Sequence, residues 1–376
     1  MDATAKKTSF TPFLLVGLIA GASLAYLNQL HHPTYLPYVW IIFYGLMFLI
    51  AYPCKRSLVL LLISTTVPSL LASIPFISEL SLANMPVSVF FLGVISAYAL
   101  NAFHIYFHQS EKNYQTLFFA VWDTFIKLSI AFIFTLICWI ILFLCSALFK
   151  IIGIGFFNTL LSRSWFEIGI SAVFMSIGLY ITTQTHHIIQ SIRVILLLIC
   201  QYLFVPLAMI GILFIITLIV KEIRHPQPLS NEFTFLAIAF LSVFFTNGVY
   251  QSGLSENPYP AFLCWICRIF LWITPFFALM ALYAIYQHGD HCICKTGLNR
   301  DNFFFLISAA LVLVYSISYA VIALLGEKPY FRSIEKTNIL LAIFLIFVTL
   351  ITTNPWVITK IPAKQYSPAP PAHKVR

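Results

Sequence analysis

A chain of 376 residues has the length for two or three water-soluble domains. Its composition excludes them: 61% of the residues are hydrophobic and 9% charged, against roughly a quarter charged in ordinary globular proteins. The formal charge of +9 is carried by Lys and Arg at the ends of apolar segments. With no soluble domain to present a basic face, that excludes nucleic acid as a partner and points to orientation in a membrane.

In lipid every backbone N–H and C=O must be satisfied internally, which leaves helices and closed barrels. Barrel strands are short and alternate polar with apolar residues. Here the apolar runs are long and continuous, as at Val194–Val220, so the expected fold is an all-α polytopic bundle. Four of the eight cysteines, Cys54, Cys138, Cys145 and Cys200, lie in or beside apolar runs. They read as small buried hydrophobes and not as a disulfide framework.

The first run, Pro12–Leu30, follows Lys6 and Lys7 and is longer than a signal-peptide core, so it is expected to be a retained helix. Further runs follow at Leu36–Tyr52, Ser57–Ser78, Pro86–Phe107, Leu117–Phe149, Trp165–Thr185, Val194–Val220, Phe233–Gln251, Pro260–Gln287, Phe303–Leu325 and Thr337–Ile358. Each approaches or exceeds the ~20 residues that cross a ~30 Å hydrocarbon core. The count is about eleven, within a range of ten to twelve, with no soluble domain. The weakest run is 233–251, interrupted by Thr246, Asn247 and Gly248. The stretch Lys150–Asn158, apolar but punctuated by Gly153 and Gly155, reads as a re-entrant or interfacial piece. Pro68, Pro75, Pro206 and Pro275 fall inside runs, where each frees a carbonyl and kinks the axis. Residues 1–360 thus form one transmembrane domain, and 361–376 a Pro-rich tail expected to be disordered. No internal repeat stands out.

Crossing by each of the first seven helices places Lys6, Lys7, Lys55, Arg56, Lys112 and Arg193 on one side, which the positive-inside rule makes cytoplasmic. Eleven crossings then put Lys360, Lys364, Lys374 and Arg376 outside, against the rule. One miscounted segment, at 233–251 or the glycine stretch, reverses that, so the side of the C-terminus stays open.

From Asp123 onward the spacing resembles a known family. Leu148-Phe149-Lys150-Ile151-Ile152-Gly153-Ile154 with Phe157, then Trp165-Phe166, are similar to the middle of a bacterial family of polytopic inner-membrane proteins, catalogued as domain of unknown function 4153. Pro275–Tyr286, the loop Gly297-Leu298-Asn299-Arg300-Asp301-Asn302 and Asn354-Pro355 also resemble its landmarks, over roughly residues 85–360. The loop at 287–296 departs from the family pattern by carrying His288, His291, Cys292 and Cys294. The resemblance implies a bacterial inner membrane and brings no activity with it.

Ionisable groups inside a membrane are costly and mark sites by default. Asp123 and Lys127, four apart, share a helix face and can pair; the structural alternative is that Lys127 snorkels to the headgroups beside Asp123. Arg268 lies inside the run 260–287, with Cys264-Trp265-Ile266-Cys267 before it and Ile269-Phe270-Leu271-Trp272 after it. It is expected to point into the bundle, where a guanidinium, which does not neutralise, meets a carboxylate, freed carbonyls or an anionic ligand. The flanking tryptophans allow instead a plain interfacial anchor. Cys264 and Cys267 form a CxxC, and His288, His291, Cys292 and Cys294 offer zinc-type donors. From 267 to 288 is 288 − 267 = 21 residues of helix, about 32 Å, so the two groups are expected at opposite faces, with no shared metal. The 288–294 group alone is a weak metal candidate, and the pairs His31-His32 and His186-His187 are weaker.

No Gly-rich phosphate loop, GxSxG or HExxH occurs, and no two of the 12 acidic residues form an aspartate pair near a helix end. No cofactor is implied. Three functions stay open: a non-enzymatic membrane component (a small-solute permease or a partner-binding subunit), a transferase acting on a lipid-linked substrate, and a metal or redox sensor read through the 288–294 loop. The partners in view are membrane lipids and a small-molecule or anionic ligand; protein partners stay open.

Overall fold

A computed structural model describes residues 8–30, 35–77, 87–224, 232–250, 259–287, 293–324 and 329–362. Among them the chain is helical, without strands: α1 (Thr11–Gln29), α2 (Leu36–Ala51), α3 (Leu58–Ser73), α4 (Val87–His108), α5 (Tyr114–Ile151), α6 (Phe156–Leu161), α7 (Ser164–Gln184), α8 (His186–Arg224), α9 (Glu232–Tyr250), α10 (Ala261–Gln287), α11 (Ile293–Thr296), α12 (Arg300–Leu324), α13 (Pro329–Thr352) and α14 (Pro355–Ile358). Eleven of these, α1–α5, α7–α10, α12 and α13, are long and apolar enough to cross a membrane. The protein is an all-α, multi-pass membrane bundle.

Helix ends follow local chemistry. The glycine stretch is a C-cap. Gly153 takes φ +84°, its N–H donates to Lys150 O (3.1 Å) and that of Ile154 to Phe149 O (2.9 Å), the paired bonds of a Schellman motif. The piece that follows, α6, has six residues and is too short to cross. Asn113 caps α5 by accepting from Thr116 N (2.9 Å). The Gly297–Asn302 loop is a reciprocal cap: Asn299 N donates to Asn302 Oδ1 (2.8 Å) and Asn302 N to Asn299 Oδ1 (3.1 Å). Asn354 caps α14, with Pro355 at its first position. Several motifs that carry the family resemblance are thus helix stops and starts.

Some boundaries differ from the sequence expectation. The run at 233–251 is a full helix despite Asn247, because that side chain finds partners inside the bundle. Pro75 does not kink a helix; α3 ends before it, in a 3-10 turn at Ile74–Phe76. The last span starts earlier and stops at Thr352, since the residue before Pro355 is extended (φ −60°, ψ 134°). α5 and α8, with 38 and 39 residues, are about 57–59 Å long and extend past a ~30 Å core.

The helices form two packed groups. In the first, α1 lies against α7 and α2, α5 against α7 and α4, and α3 between α2 and α4, around a core that includes Phe13, Phe48, Leu61 and Leu179. In the second, α10 is central, packed by α8, α9 and α12 around Phe204, Phe270, Phe277 and Tyr319. α13 bridges α12 and α4, and α5 meets α8.

Polar contacts identify the two ends of the bundle. Gln184 Nε2 donates to Thr8 O (3.0 Å), Arg56 Nη2 to Gln109 O (2.7 Å) and Gln109 Nε2 to Cys54 Sγ (3.2 Å). The α1 start, the α2–α3 and α4–α5 turns and the α7 end therefore share one face. Arg300 N donates to Pro362 O (3.1 Å) on the other. With α9 a full span and α6 too short, eleven crossings put Thr8 and Pro362 on opposite faces.

Candidate functional site

Asp123 pairs with Arg193, not with Lys127. Arg193 Nη1 lies 2.6 Å from Asp123 Oδ1, and their side chains are 11% and 16% exposed, respectively. Asp123 is the tenth residue of α5 and Arg193 the eighth of α8, so the pair joins the two helix groups. Both helices enter from the face that carries Arg56, so the pair lies on that side. The guanidinium carbon stands 3.9 Å from the centroid of Phe119, one turn before Asp123. This cation–π contact seats the guanidinium over the ring, and one hydrogen bond joins it to protein. Among the described residues, the other guanidinium N–H groups and Asp123 Oδ2 have no hydrogen-bond partner. Lys127 is half-buried, with Cys54 within its electrostatic reach.

Beside this pair runs an aromatic seam of Phe118 and Trp122 on α5, with Leu197 and Cys200 on α8; the Trp122 ring lies 5.5 Å from that of Phe244 on α9. A polar knot continues it across four helices. Asn338 (α13) donates through Nδ2 to Tyr114 OH on α5 and to Asn247 Oδ1 on α9, both at 2.6 Å. The Tyr319 hydroxyl (α12) donates to Asn247 Oδ1 (3.0 Å) and contacts Asn338 Oδ1 closely. Asn247 also donates to Val243 O at 3.1 Å. The seam between the groups thus holds an ion pair and two half-buried amides, where an apolar contact would suffice for packing.

A second polar feature lies within the first group. His104 and His108 of α4 are 5% and 1% exposed, with ring centroids 5.0 Å apart. His104 Nε2 stands 3.1 Å from Thr65 Oγ1 and His108 Nε2 2.7 Å from Ser64 Oγ, both on α3.

Arg268 is half-buried, on the face of α10 shared with Trp265 and Trp272, three before and four after it; both tryptophans are exposed, with ring centroids 6.2 Å apart. It is not the partner of Asp123. α10 runs unbroken from Ala261 to Gln287, so Cys264 and Cys267 lie at the end opposite the 288–294 loop. His288, His291 and Cys292 lie outside the described residues, as do His31 and His32; Cys294 is exposed. Among the described residues no three His, Cys, Asp or Glu side chains gather as a metal site.

Sequence reading singled out Asp123 but used Arg193 only as a topology marker. It passed over Tyr114, Tyr319, Asn338 and the α4 histidines. The signal for the last was present: Asn101, His104 and His108 at i, i+3 and i+7 mark one helix face. Compared with known proteins, the chain matches no family model, no curated protein and no solved structure.

Proposed function

We propose that this chain is a small-solute permease of a bacterial inner membrane, with its N-terminus in the cytoplasm, and that it takes a small anionic solute at the Asp123–Arg193 pair. One observation carries the reading: a guanidinium seated over Phe119 between two helix groups, bonded once to a carboxylate and with its remaining donors unused among the described residues. A carboxylate or phosphate on a solute fits that planar fork with two parallel bonds, which Asp123 does not make. Asp123 compensates the charge while the site is empty. The seam, with its polar knot, is where two packed groups can part and close around a solute.

The bacterial membrane rests on the family resemblance. The cytoplasmic N-terminus rests on Lys55, Arg56 and Lys112 gathering on the N-terminal face with Lys6 and Lys7 next to it in sequence. A transferase is disfavoured by the shortage of carboxylates.

Thermal melts of the purified protein test the reading against a panel of small carboxylates and phosphates. Binding to the folded state at a hundredfold excess over Kd stabilises by about 2.7 kcal/mol. The expected result is a raised midpoint for one anion class, lost in Arg193→Gln. A flat panel, with a protein that co-purifies stoichiometrically, favours the partner-binding subunit instead.

A further inference from the structure

We infer that Asp123 passes from Arg193 to Lys127 when the solute binds, which makes the solute a monovalent anion. This rests on reading the Asp123–Arg193 pair as the solute site, and adds to it a third residue and a charge class. Phe119, Asp123 and Lys127 follow one another at four-residue intervals on α5, so they lie along one stripe of the helix. The Arg193 guanidinium sits over Phe119 at one end of the stripe, 3.9 Å from the ring centroid. Lys127 lies past Asp123 at the other end, about 6 Å further along the axis. The carboxylate thus stands between two cations.

It is bonded to one of them. Asp123 Oδ1 accepts from Arg193 Nη1 at 2.6 Å. Among the described residues Oδ2 has no partner, and neither has the Lys127 ammonium. Lys127 is nonetheless half-buried, and a charge inside a spanning helix calls for a counter-charge. Helix side chains lean toward the N-terminus, which turns Lys127 back onto the turn that carries Asp123. An acidic residue four before a lysine is also the favourable order for such a pair. Both charges reach the Cys54 thiol just past α2, so both side chains serve the same side of α5. Side-chain rotation alone closes the second pair, with no movement of the backbone.

Charge then selects the solute. Two cations against one carboxylate leave the empty site with a single positive charge in excess. The anion takes the Arg193 fork in two parallel bonds, Asp123 crosses to Lys127, and the loaded site holds two neutral pairs. The Phe119 ring holds the guanidinium in place during the exchange. A dianion would leave a negative charge uncompensated beside the hydrocarbon, which lowers its affinity.

Melting midpoints of the full chain in lipid nanodiscs, titrated with butyrate, succinate and inorganic phosphate, give the affinity for each anion. Wild type should prefer butyrate, with one carboxylate, to succinate, with two on the same chain length. Lys127→Gln should weaken the tightest of the three about tenfold, and Lys127→Arg should keep it within about threefold of wild type. In an Asp123→Asn background there is no carboxylate to receive, so Lys127→Gln should cost the anion little. That double-mutant comparison separates the handover from direct contact of Lys127 with solute. Unchanged affinity in Lys127→Gln, beside a shift that Arg193→Gln abolishes, would overturn the handover and leave the solute site standing. Equal losses in both backgrounds, or a wild-type preference for succinate over butyrate, would overturn it as well. No shift with any of the three anions in wild type would instead remove the solute site, and the handover with it.

Discussion

Arg193 of α8 and Asp123 of α5 meet at 2.6 Å, with the guanidinium over the ring of Phe119, and this ion pair joins the two helix groups. The pair is mostly buried, so its members depend on each other. Asp123→Asn leaves an uncompensated guanidinium and should cost about 3 kcal/mol or more. Asp123→Asn with Arg193→Gln removes both charges and should recover most of that loss. Unfolding midpoints in detergent check the pattern; equal losses in single and double variants would show that the charges do not act on each other.

The polar knot makes a graded prediction. Tyr319→Phe removes one hydroxyl and leaves the Asn338–Asn247 and Asn338–Tyr114 bonds in place, so it should cost about 1 kcal/mol or less, as such bonds do in membrane bundles. Asn338→Leu removes the hub and strands Tyr114 OH, leaving Asn247 Oδ1 with Tyr319 alone, at about 1–3 kcal/mol. Reversal of that order would show that Tyr319 and not Asn338 organises the knot.

Close packing of α1 on α7 predicts a contrast between two glycines. A Cβ at Gly21 would stand 2.5 Å from the backbone oxygen of Gly169, whereas one at Gly45 meets its nearest neighbour, Val16, at 3.7 Å. Backbone cannot swing aside, so Gly21→Ala should separate the helices and cost about 1–3 kcal/mol. Gly45→Ala should be near neutral. Thermal denaturation of the two variants decides it.

Orientation has its own test. In a variant that keeps Cys294 as its single cysteine, a membrane-impermeant maleimide should label it in intact cells, because Cys294 is exposed and lies after α10, at the end opposite Thr8. Labelling only after the cells are broken would place the N-terminus outside.

The span count was legible because length and apolarity decide membrane crossing one segment at a time, as in the runs that became α5 and α8. Asp123 was legible as an anomaly for the same reason: a charge inside such a run stands out. Its partner was not, because sequence offers Lys127 four residues away, and only the approach of α8 to α5 brings Arg193 within reach. Asn247 looked like a flaw in a weak helix; its partners Asn338 and Tyr319 lie 91 and 72 residues away in the chain. The α4 histidines were missed because a run read for missing charge hides neutral imidazoles. Motifs such as Gly297–Asn302 looked distinctive yet turned out to be caps, which many helices need.

Uptake into sealed proteoliposomes tests the central claim most directly, with the anion that raises the melting midpoint as the radiolabelled solute. Wild-type vesicles should accumulate it well above protein-free vesicles. Arg193→Gln should abolish that excess, Arg193→Lys should leave a small fraction because a lysine lacks the bidentate fork, and the Asp123→Asn/Arg193→Gln protein should be stable yet inactive. Uptake by the stable double variant at the wild-type rate would contradict the account, because solute would then cross without the charged fork between the two helix groups.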